Sequence, residues 1–169
     1  GLMAATKIRQ KGYTEAAIFA SRHSYFATSQ RVQAFISSCE RLGIETDEKY
    51  ILKGSSTRNG GYEIGKQYAA LKEPPKMIFC DSDAIALGAL RAFHEEGISV
   101  PGDAELLSIG MLDPEAASYY VPSLSVVEMP NKEIGQQVLR LMRKKVLNND
   151  ISSEHVKVHA KLMLRESFS

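Results

Sequence analysis

The sequence predicts an α/β domain built on a parallel, doubly wound sheet, and three observations favour this fold class. Short apolar segments alternate with longer amphipathic ones, with roughly 30 residues between most of the strand starts. Residues 77–80 form an unbroken apolar run, as expected of a central strand that is covered on both faces. Apolar residues make up 44% and charged residues 24% of the 169 residues, which is typical of a soluble globular domain. Right-handed βαβ units follow from the alternation.

The first half of the chain predicts three helices and two strands. The first helix ends at Gly12 and the second at Gly43, because glycine readily adopts the left-handed conformation that follows a helix. The third helix ends before Pro74, since proline cannot continue a helix. Apolar residues three or four positions apart define the buried faces of these helices. The elements in order are helix 2–11, strand 15–20, helix 29–42, strand 50–52 and helix 62–71.

The second half predicts four strands and two helices. The buried strand leads into a helix that Asp83 caps and Gly97 ends. A long amphipathic helix follows later and breaks at the polar residues 148–150. The elements in order are strand 77–80, helix 84–96, strand 106–109, strand 125–127, helix 131–147 and strand 156–164.

Charge and cysteine content exclude several classes of function. The 21 Lys and Arg residues and the 20 Asp and Glu residues are interspersed, so no surface is built to hold DNA phosphates by itself. Cys39 and Cys80 lack metal-binding spacing, which predicts two reduced core thiols in a cytosolic protein, without zinc or a disulfide. No apolar run could cross a bilayer. The chain begins as if inside a helix, so we expect it to be a piece of a longer protein.

Ligands of parallel α/β sheets bind beyond the carboxyl ends of the strands. The loops expected there are 21–28, 54–59, 81–83, 110–113 and 128–131. Arg31 is predicted in the first turn of its helix, where a cation opposes the helix dipole. Its guanidinium could bind a carboxylate, a phosphate or sugar hydroxyls, and the alternative is a solvated surface arginine.

Asp81, Ser82 and Asp83 directly follow the buried strand. Helix capping explains one carboxylate. The alternative is a magnesium-binding Asp-x-Asp motif with Asp81 as the nucleophile, as in the haloacid-dehalogenase type of phosphatase, which the stretch superficially resembles. That family has Thr or Val two residues after the second Asp of the motif, whereas this sequence has Ile85 there, so the match is incomplete. The four histidines are too scattered for a metal site, so no metal or other cofactor is expected.

Six ordered segments carry a family resemblance. They are residues 31–35, 78–90, 97–103, 107–110, 121–127 and 164–167. They are similar to the R-x-x-G-F segment, the strand–helix–VP-x-D–strand run, the PPLTT region and the terminal R-x-S of the lactose, galactose and purine repressors. The chain therefore resembles the effector-binding domain of this LacI/GalR family along residues 1–168.

The resemblance implies a type I periplasmic-binding-protein-like fold with flavodoxin-like lobes. Residues 1–127 and 157–169 would form the C-terminal lobe, and residues 128–156 would belong to a mostly absent N-terminal lobe. The family's DNA-binding helix-turn-helix is absent from this chain. The apolar face of helix 131–147 would then need other cover.

The resemblance also implies site residues. Arg31 matches the effector-contacting arginine and Ser82 a polar effector contact, and the same cleft would include Ser24, Ser56, Asp113 and Met129. The expected effector is a sugar or sugar-like metabolite. Three departures weigh against a simple sugar, and they are Leu112 in place of a sugar-binding Asp, Ser56 in place of a stacking aromatic, and Met129 in place of a polar residue.

The resemblance further implies that subunits pair through helix 84–96 and the segment around residues 119–120, so contacts are expected at Leu87, Leu90, Tyr119 and Tyr120. The two tyrosines could instead belong to the core. The leading hypothesis is the effector-binding and dimerisation region of a cytoplasmic, non-enzymatic transcriptional repressor. Such a protein would reach operator DNA only through the missing N-terminal domain and would have no membrane contact. The alternatives are a solute-binding receptor of the same fold and the magnesium-dependent phosphatase.

Overall fold

Six strands form one sheet in the computed structural model, which describes residues 1–22, 26–110, 114–148 and 153–169. In chain order they are β1 (Ala17–Ser21), β2 (Ile51–Gly54), β3 (Met77–Cys80), β4 (Glu105–Gly110), β5 (Ser125–Glu128) and β6 (Lys161–Met163). Their order across the sheet is β2-β1-β3-β4-β5-β6. Strands β1 to β5 are parallel, and β6 pairs antiparallel with β5. The predicted α/β fold with a mostly parallel sheet is confirmed.

Helices cover both faces of this sheet. In chain order they are α1 (Leu2–Gln10), α2 (Phe26–Leu42), α3 (Arg58–Ala69), α4 (Asp83–Glu96), α5 (Pro114–Ser118) and α6 (Asn131–Asn148). Helices α1 and α2 pack on one face, over residues that include Ile18 and Phe79. Helices α3 and α4 pack on the other face, over Phe19 and Ile78. Neighbouring strand residues therefore enter opposite cores, because side chains alternate along a strand.

The central strand β3 has no solvent-facing position. All four of its residues are 0% exposed. Met77 and Phe79 belong to the core under α1 and α2, whereas Ile78 and Cys80 belong to the core under α3 and α4. This two-sided burial is the physical reason for the unbroken apolar run in the sequence.

Some element bounds differ from the predictions. Helix α2 begins at Phe26 rather than at residue 29, so Arg31 lies in its second turn and opposes the helix dipole less than expected. Helix α3 begins at Arg58 rather than at residue 62, because Thr57 caps it by accepting a hydrogen bond from the Gly60 N–H at 3.1 Å. The C-terminal ends of helices α1 and α4 were predicted better than these helix starts. The glycines that follow them, Gly12 and Gly97, adopt positive φ angles of 90° and 72°.

The cap of α4 is Ser82, and the prediction of Asp83 was wrong. Ser82 has an extended backbone, and its Oγ accepts a hydrogen bond from the Ile85 N–H at 3.4 Å. Asp83 is instead the first helical residue, where its carboxylate favours the positive end of the helix dipole.

The C-terminal segment is hydrogen-bonded to the sheet through a cluster of serines. The buried Ser167 donates a hydrogen bond from its Oγ to the Leu106 carbonyl at 2.8 Å and accepts one from the Ser125 N–H at 2.8 Å. The Arg165 guanidinium donates to the Leu124 carbonyl at 2.8 Å. The terminal Arg-x-Ser segment thus ties the end of the chain to β4 and to the start of β5.

Helix α6 lies outside both cores. None of its residues from 131 to 147 belongs to either hydrophobic cluster. Ile134 and Leu141 are half-buried, whereas Val138 and Met142 are 48% and 59% exposed. The final strand is also shorter than predicted, with only Lys161–Met163 paired. The assignment of residues 128–156 to a second lobe stays a prediction.

Helices α3 and α4 pack with their backbones in close contact. A Cβ atom added to Gly88 would lie 1.9 Å from the Arg58 carbonyl oxygen, and one added to Gly61 would lie 2.2 Å from the Ile85 carbonyl oxygen. Only glycine fits at these two positions without moving a backbone.

Gly88→Ala should therefore destabilise the protein, because the new methyl group must push the two helices apart. We expect the free energy of unfolding to fall by about 3 kcal/mol, near the upper end of the usual cost of overpacking. Gly135→Ala in α6 is the matched control, since no atom lies within 4 Å of its added Cβ. It should raise stability by up to about 1 kcal/mol. Urea denaturation measures both, and an unchanged midpoint for Gly88→Ala would contradict the close packing.

Candidate functional site

The carboxyl ends of the parallel strands meet at one edge of the sheet, and most of the predicted site residues follow these ends. Ser56 is exposed in the loop after β2, and Ser82 follows β3. Met129 follows β5, where its N–H donates to the Gly110 carbonyl at 3.2 Å. Ser24 and Asp113, like Leu112, lie outside the described residues. The assignment of these side chains to a ligand site stays a prediction.

Arg31 approaches this edge from helix α2. The residue is half-buried, and its positive charge acts on the carboxyl group of Asp81. The assignment of Arg31 to a ligand site, rather than to the solvated surface, stays a prediction. Phe26 begins the same helix and is 80% exposed. Phe26 was not predicted to be helical, because the helix was expected to begin three residues later.

A small cavity of about 160 Å³ lies between the end of β1 and helix α2. It is lined by Ala20, Ser21, Arg22, Ser29, Val32, Gln33, Lys53 and Asp81. Arg22 crosses to the end of the neighbouring strand, where its Nη2 donates to the Lys53 carbonyl at 3.3 Å. The sequence singled out only Asp81 of this set, because the cavity depends on the side-by-side placement of β1 and β2.

Asp81 is the most unusual group at this edge. It is 0% exposed, and its Oδ2 accepts a hydrogen bond from the Ser21 N–H at 2.6 Å. Its Oδ1 has no hydrogen-bond partner among the described residues. Burial raises the pKa of the Asp81 carboxyl, while hydrogen bonds from Ser21 and Ser82 and the charge of Arg31 act in the opposite direction.

The arrangement does not favour the phosphatase alternative. That mechanism needs a magnesium ion held beside the attacking carboxylate. In the ranges that the structure describes, no three His, Cys, Asp or Glu side chains are grouped closely enough to hold a metal ion.

A second surface, separate from the carboxyl edge of the sheet, lies along helix α4. Leu87, Leu90 and Tyr120 border a groove of about 650 Å³ together with Arg58, Arg91, His94 and Val121. Tyr119 is 77% exposed and is not part of the groove lining. The structure therefore brings together three of the four residues predicted for a subunit contact. Their role in an interface stays a prediction.

Asp81→Asn should change stability in a pH-dependent way. The raised pKa means that the folded protein keeps a proton that the unfolded chain releases. The resulting stabilisation is complete below the ordinary carboxyl pKa of 3.8 and is lost as the pH rises through the raised value. We expect the stability of the wild type relative to Asp81→Asn to fall as the pH rises above about 4, measured by urea denaturation.

Asp47→Asn provides a control of opposite sign. Asp47 is partly exposed, and hydrogen bonds from the backbone and side chain of Lys49 lower the pKa of its carboxyl. Its contribution is present above pH 3.8 and is lost as the pH falls. The same pH slope for both variants would contradict the buried, poorly paired state of Asp81.

Comparison with known proteins identifies relatives of the whole chain. The repressor PurR of Mannheimia succiniciproducens is 26% identical over 167 residues, which cover 99% of this chain and 49% of PurR. A crystal structure of a LacI family transcription regulator from Clostridium acetobutylicum matches with a TM-score of 0.91 and 29% identity, covering 97% of this chain and 61% of that one. The cellobiose complex of the regulator CelR matches with a TM-score of 0.84 and 23% identity, covering 96% of this chain and 49% of that one.

The chain spans about half the length of the curated relatives it matches. In the part that the structure describes, no helix combines the length and apolar character needed to span a membrane. The family model for a periplasmic binding protein-like domain matches residues 5–168. The chain therefore belongs to the family of periplasmic binding protein-like domains and is homologous to PurR and the LacI-family regulators, as the sequence motifs predicted.

Proposed function

We propose that this chain is the effector-binding region of a transcriptional repressor, in which a small molecule at the carboxyl edge of the sheet controls binding to operator DNA. The observation that carries the proposal is homology to repressors along the whole sheet, including the edge at which ligands of this fold bind. DNA contact requires a domain other than this one, since the charges of the chain are balanced. As a repressor, the protein acts in the cytoplasm and catalyses no reaction.

The effector binds between two lobes, of which this chain supplies one. Support comes from α6, where Leu139, Val146 and Leu147 are 69%, 78% and 70% exposed. An apolar face of this size is costly in water, so it packs against the second lobe. The effector changes the arrangement of the lobes because it binds one arrangement more tightly than the other.

The groove beside α4 is the interface of a homodimer. Its lining combines the apolar side chains of Leu87 and Leu90 with Tyr120 and the two arginines Arg58 and Arg91, and tyrosine and arginine are enriched at protein interfaces. Pairing of two copies would place two DNA-binding domains side by side.

Arg31→Ala should weaken effector binding, because Arg31 matches the effector-contacting arginine of the related repressors and its charge acts on Asp81 at the carboxyl edge of the sheet. Sugars, sugar phosphates and nucleobases are first screened for a rise in Tm, and the best compound is titrated calorimetrically. Loss of a charged hydrogen bond should reduce affinity at least about tenfold. Arg9→Ala in α1 is the control and should bind normally. Unchanged affinity for Arg31→Ala would remove Arg31 from the site.

The same compound distinguishes a repressor from a solute receptor. Added to the longer protein that contains this chain, bound to DNA from its own promoter, it should change the affinity for DNA in fluorescence anisotropy. A compound that binds the protein tightly without changing DNA affinity would favour the receptor of the same fold.

Tyr120→Asp should shift the protein toward monomer in analytical ultracentrifugation, because it would bury a carboxylate in an apolar interface. Burial of an unpaired charge costs several kcal/mol, enough to dissociate a dimer of ordinary affinity. Leu2→Asp is the control, since Leu2 is exposed on α1, on the other face of the sheet. An unaltered dimer with the Tm of the wild type would contradict this interface.

A further inference from the structure

We propose that the cavity at the end of β1 is a subsite for an anionic polyol, with Asp81 accepting a hydrogen bond from a hydroxyl and with Arg22 and Lys53 binding the phosphate or carboxylate. This inference rests on the proposed function, because it names the chemical class of the effector. All the residues that line the cavity come from this chain.

The first argument is the unpartnered oxygen of Asp81. Buried carboxylate oxygens are normally hydrogen-bonded, and leaving one unpaired costs free energy. Oδ2 is satisfied by the Ser21 N–H, whereas Oδ1 has no partner in the described ranges and belongs to a residue that lines the cavity. A ligand hydroxyl would satisfy it.

The second argument is the charge around the cavity. Arg22 and Lys53 line it, and Arg31 acts electrostatically on Asp81. The lining therefore holds two exposed cations and one buried carboxylate. The excess of positive charge disfavours an ammonium group as the donor to Asp81 and favours a neutral hydroxyl. The remaining positive charge attracts an anionic group on the same ligand.

The third argument is the position of the two cations. Lys53 lies on β2 opposite Ala20 of β1, so the parallel register sets the place of its backbone beside the cavity. The Arg22 N–H donates to the Gly54 carbonyl at 2.6 Å, and its guanidinium donates to the Lys53 carbonyl. The Arg22 guanidinium is therefore tied to the end of β2 and needs little further ordering when an anion binds.

The size of the cavity also fits. About 160 Å³ corresponds to roughly five water molecules in the liquid. Such a volume holds a phosphate or carboxylate with an adjoining carbinol group rather than a whole sugar ring. The remainder of the ligand would extend toward the second lobe.

Calorimetric titration of the 169-residue chain with matched probes tests the subsite. The probes are the 6-phosphates of glucose, galactose, mannose and fructose, the acids gluconate and galactonate, the four neutral sugars, and inorganic phosphate. We expect at least one anionic sugar to bind about tenfold more tightly than its neutral counterpart. Comparison of the 6-phosphates with the acids shows which anion the site prefers.

Lys53→Met should reduce that preference and leave binding of the neutral sugar unchanged. Lys161→Met is the matched control, because Lys161 is an exposed strand lysine at the opposite edge of the sheet. Asp81→Asn should weaken binding of the anionic sugar about tenfold, through the lost hydrogen bond, and should not weaken binding of inorganic phosphate. Lys53 is exposed, so its variant keeps the test valid if Asp81→Asn folds poorly.

Equal binding of neutral and anionic sugars, equal effects of Lys53→Met and Lys161→Met, or no binding of any probe would overturn the subsite. The proposed function has a separate test. A neutral compound that binds in an Arg31-dependent way and changes DNA affinity would support the proposed repressor function and would exclude this subsite.

Discussion

The burial of β3 on both faces is the constraint on which the rest of the structure depends. Its four side chains enter two different cores, so helices must cover both sides of the sheet. The parallel neighbours β1 and β4 are fixed in register by the same strand. Asp81 follows immediately, and its backbone N–H donates to the Phe19 carbonyl at 3.0 Å, which holds the carboxyl beside the end of β1. The candidate site at the carboxyl edge of the sheet therefore directly follows the buried core strand.

Apolar patterning predicted the existence and order of most elements, because burial decides which residues are apolar. It failed where local hydrogen bonds decide. Ser82 and Asp83 are both good capping residues, and only the backbone conformation shows that Ser82 is the cap. Helix α2 begins at an exposed phenylalanine, which contributes nothing to a buried stripe. The short helix α5 was not predicted, and most of the predicted strand 156–164 is unpaired, since alternation alone does not supply a neighbouring strand.

The candidate site was predictable only in part, and for a similar reason. Family motifs pointed to Arg31 and Ser82, which lie next to recognisable segments. The cavity with Arg22 and Lys53 was not visible in the sequence, because these residues are 31 positions apart and meet only through the register of β1 and β2. The unpaired oxygen of Asp81 likewise depends on the direction of one side chain.

Helix α4 joins the two surfaces to which this chain owes its proposed role. Its cap, Ser82, lies at the ligand edge, and Leu87 and Leu90 lie in the groove on its side. Fourteen residues make a rod of about 21 Å. At its glycine contacts, this helix packs against α3 with the two backbones touching, so there is little free space between the two helices. A ligand that shifted the cap would therefore shift Leu87 and Leu90 with it, because the helix moves as one body.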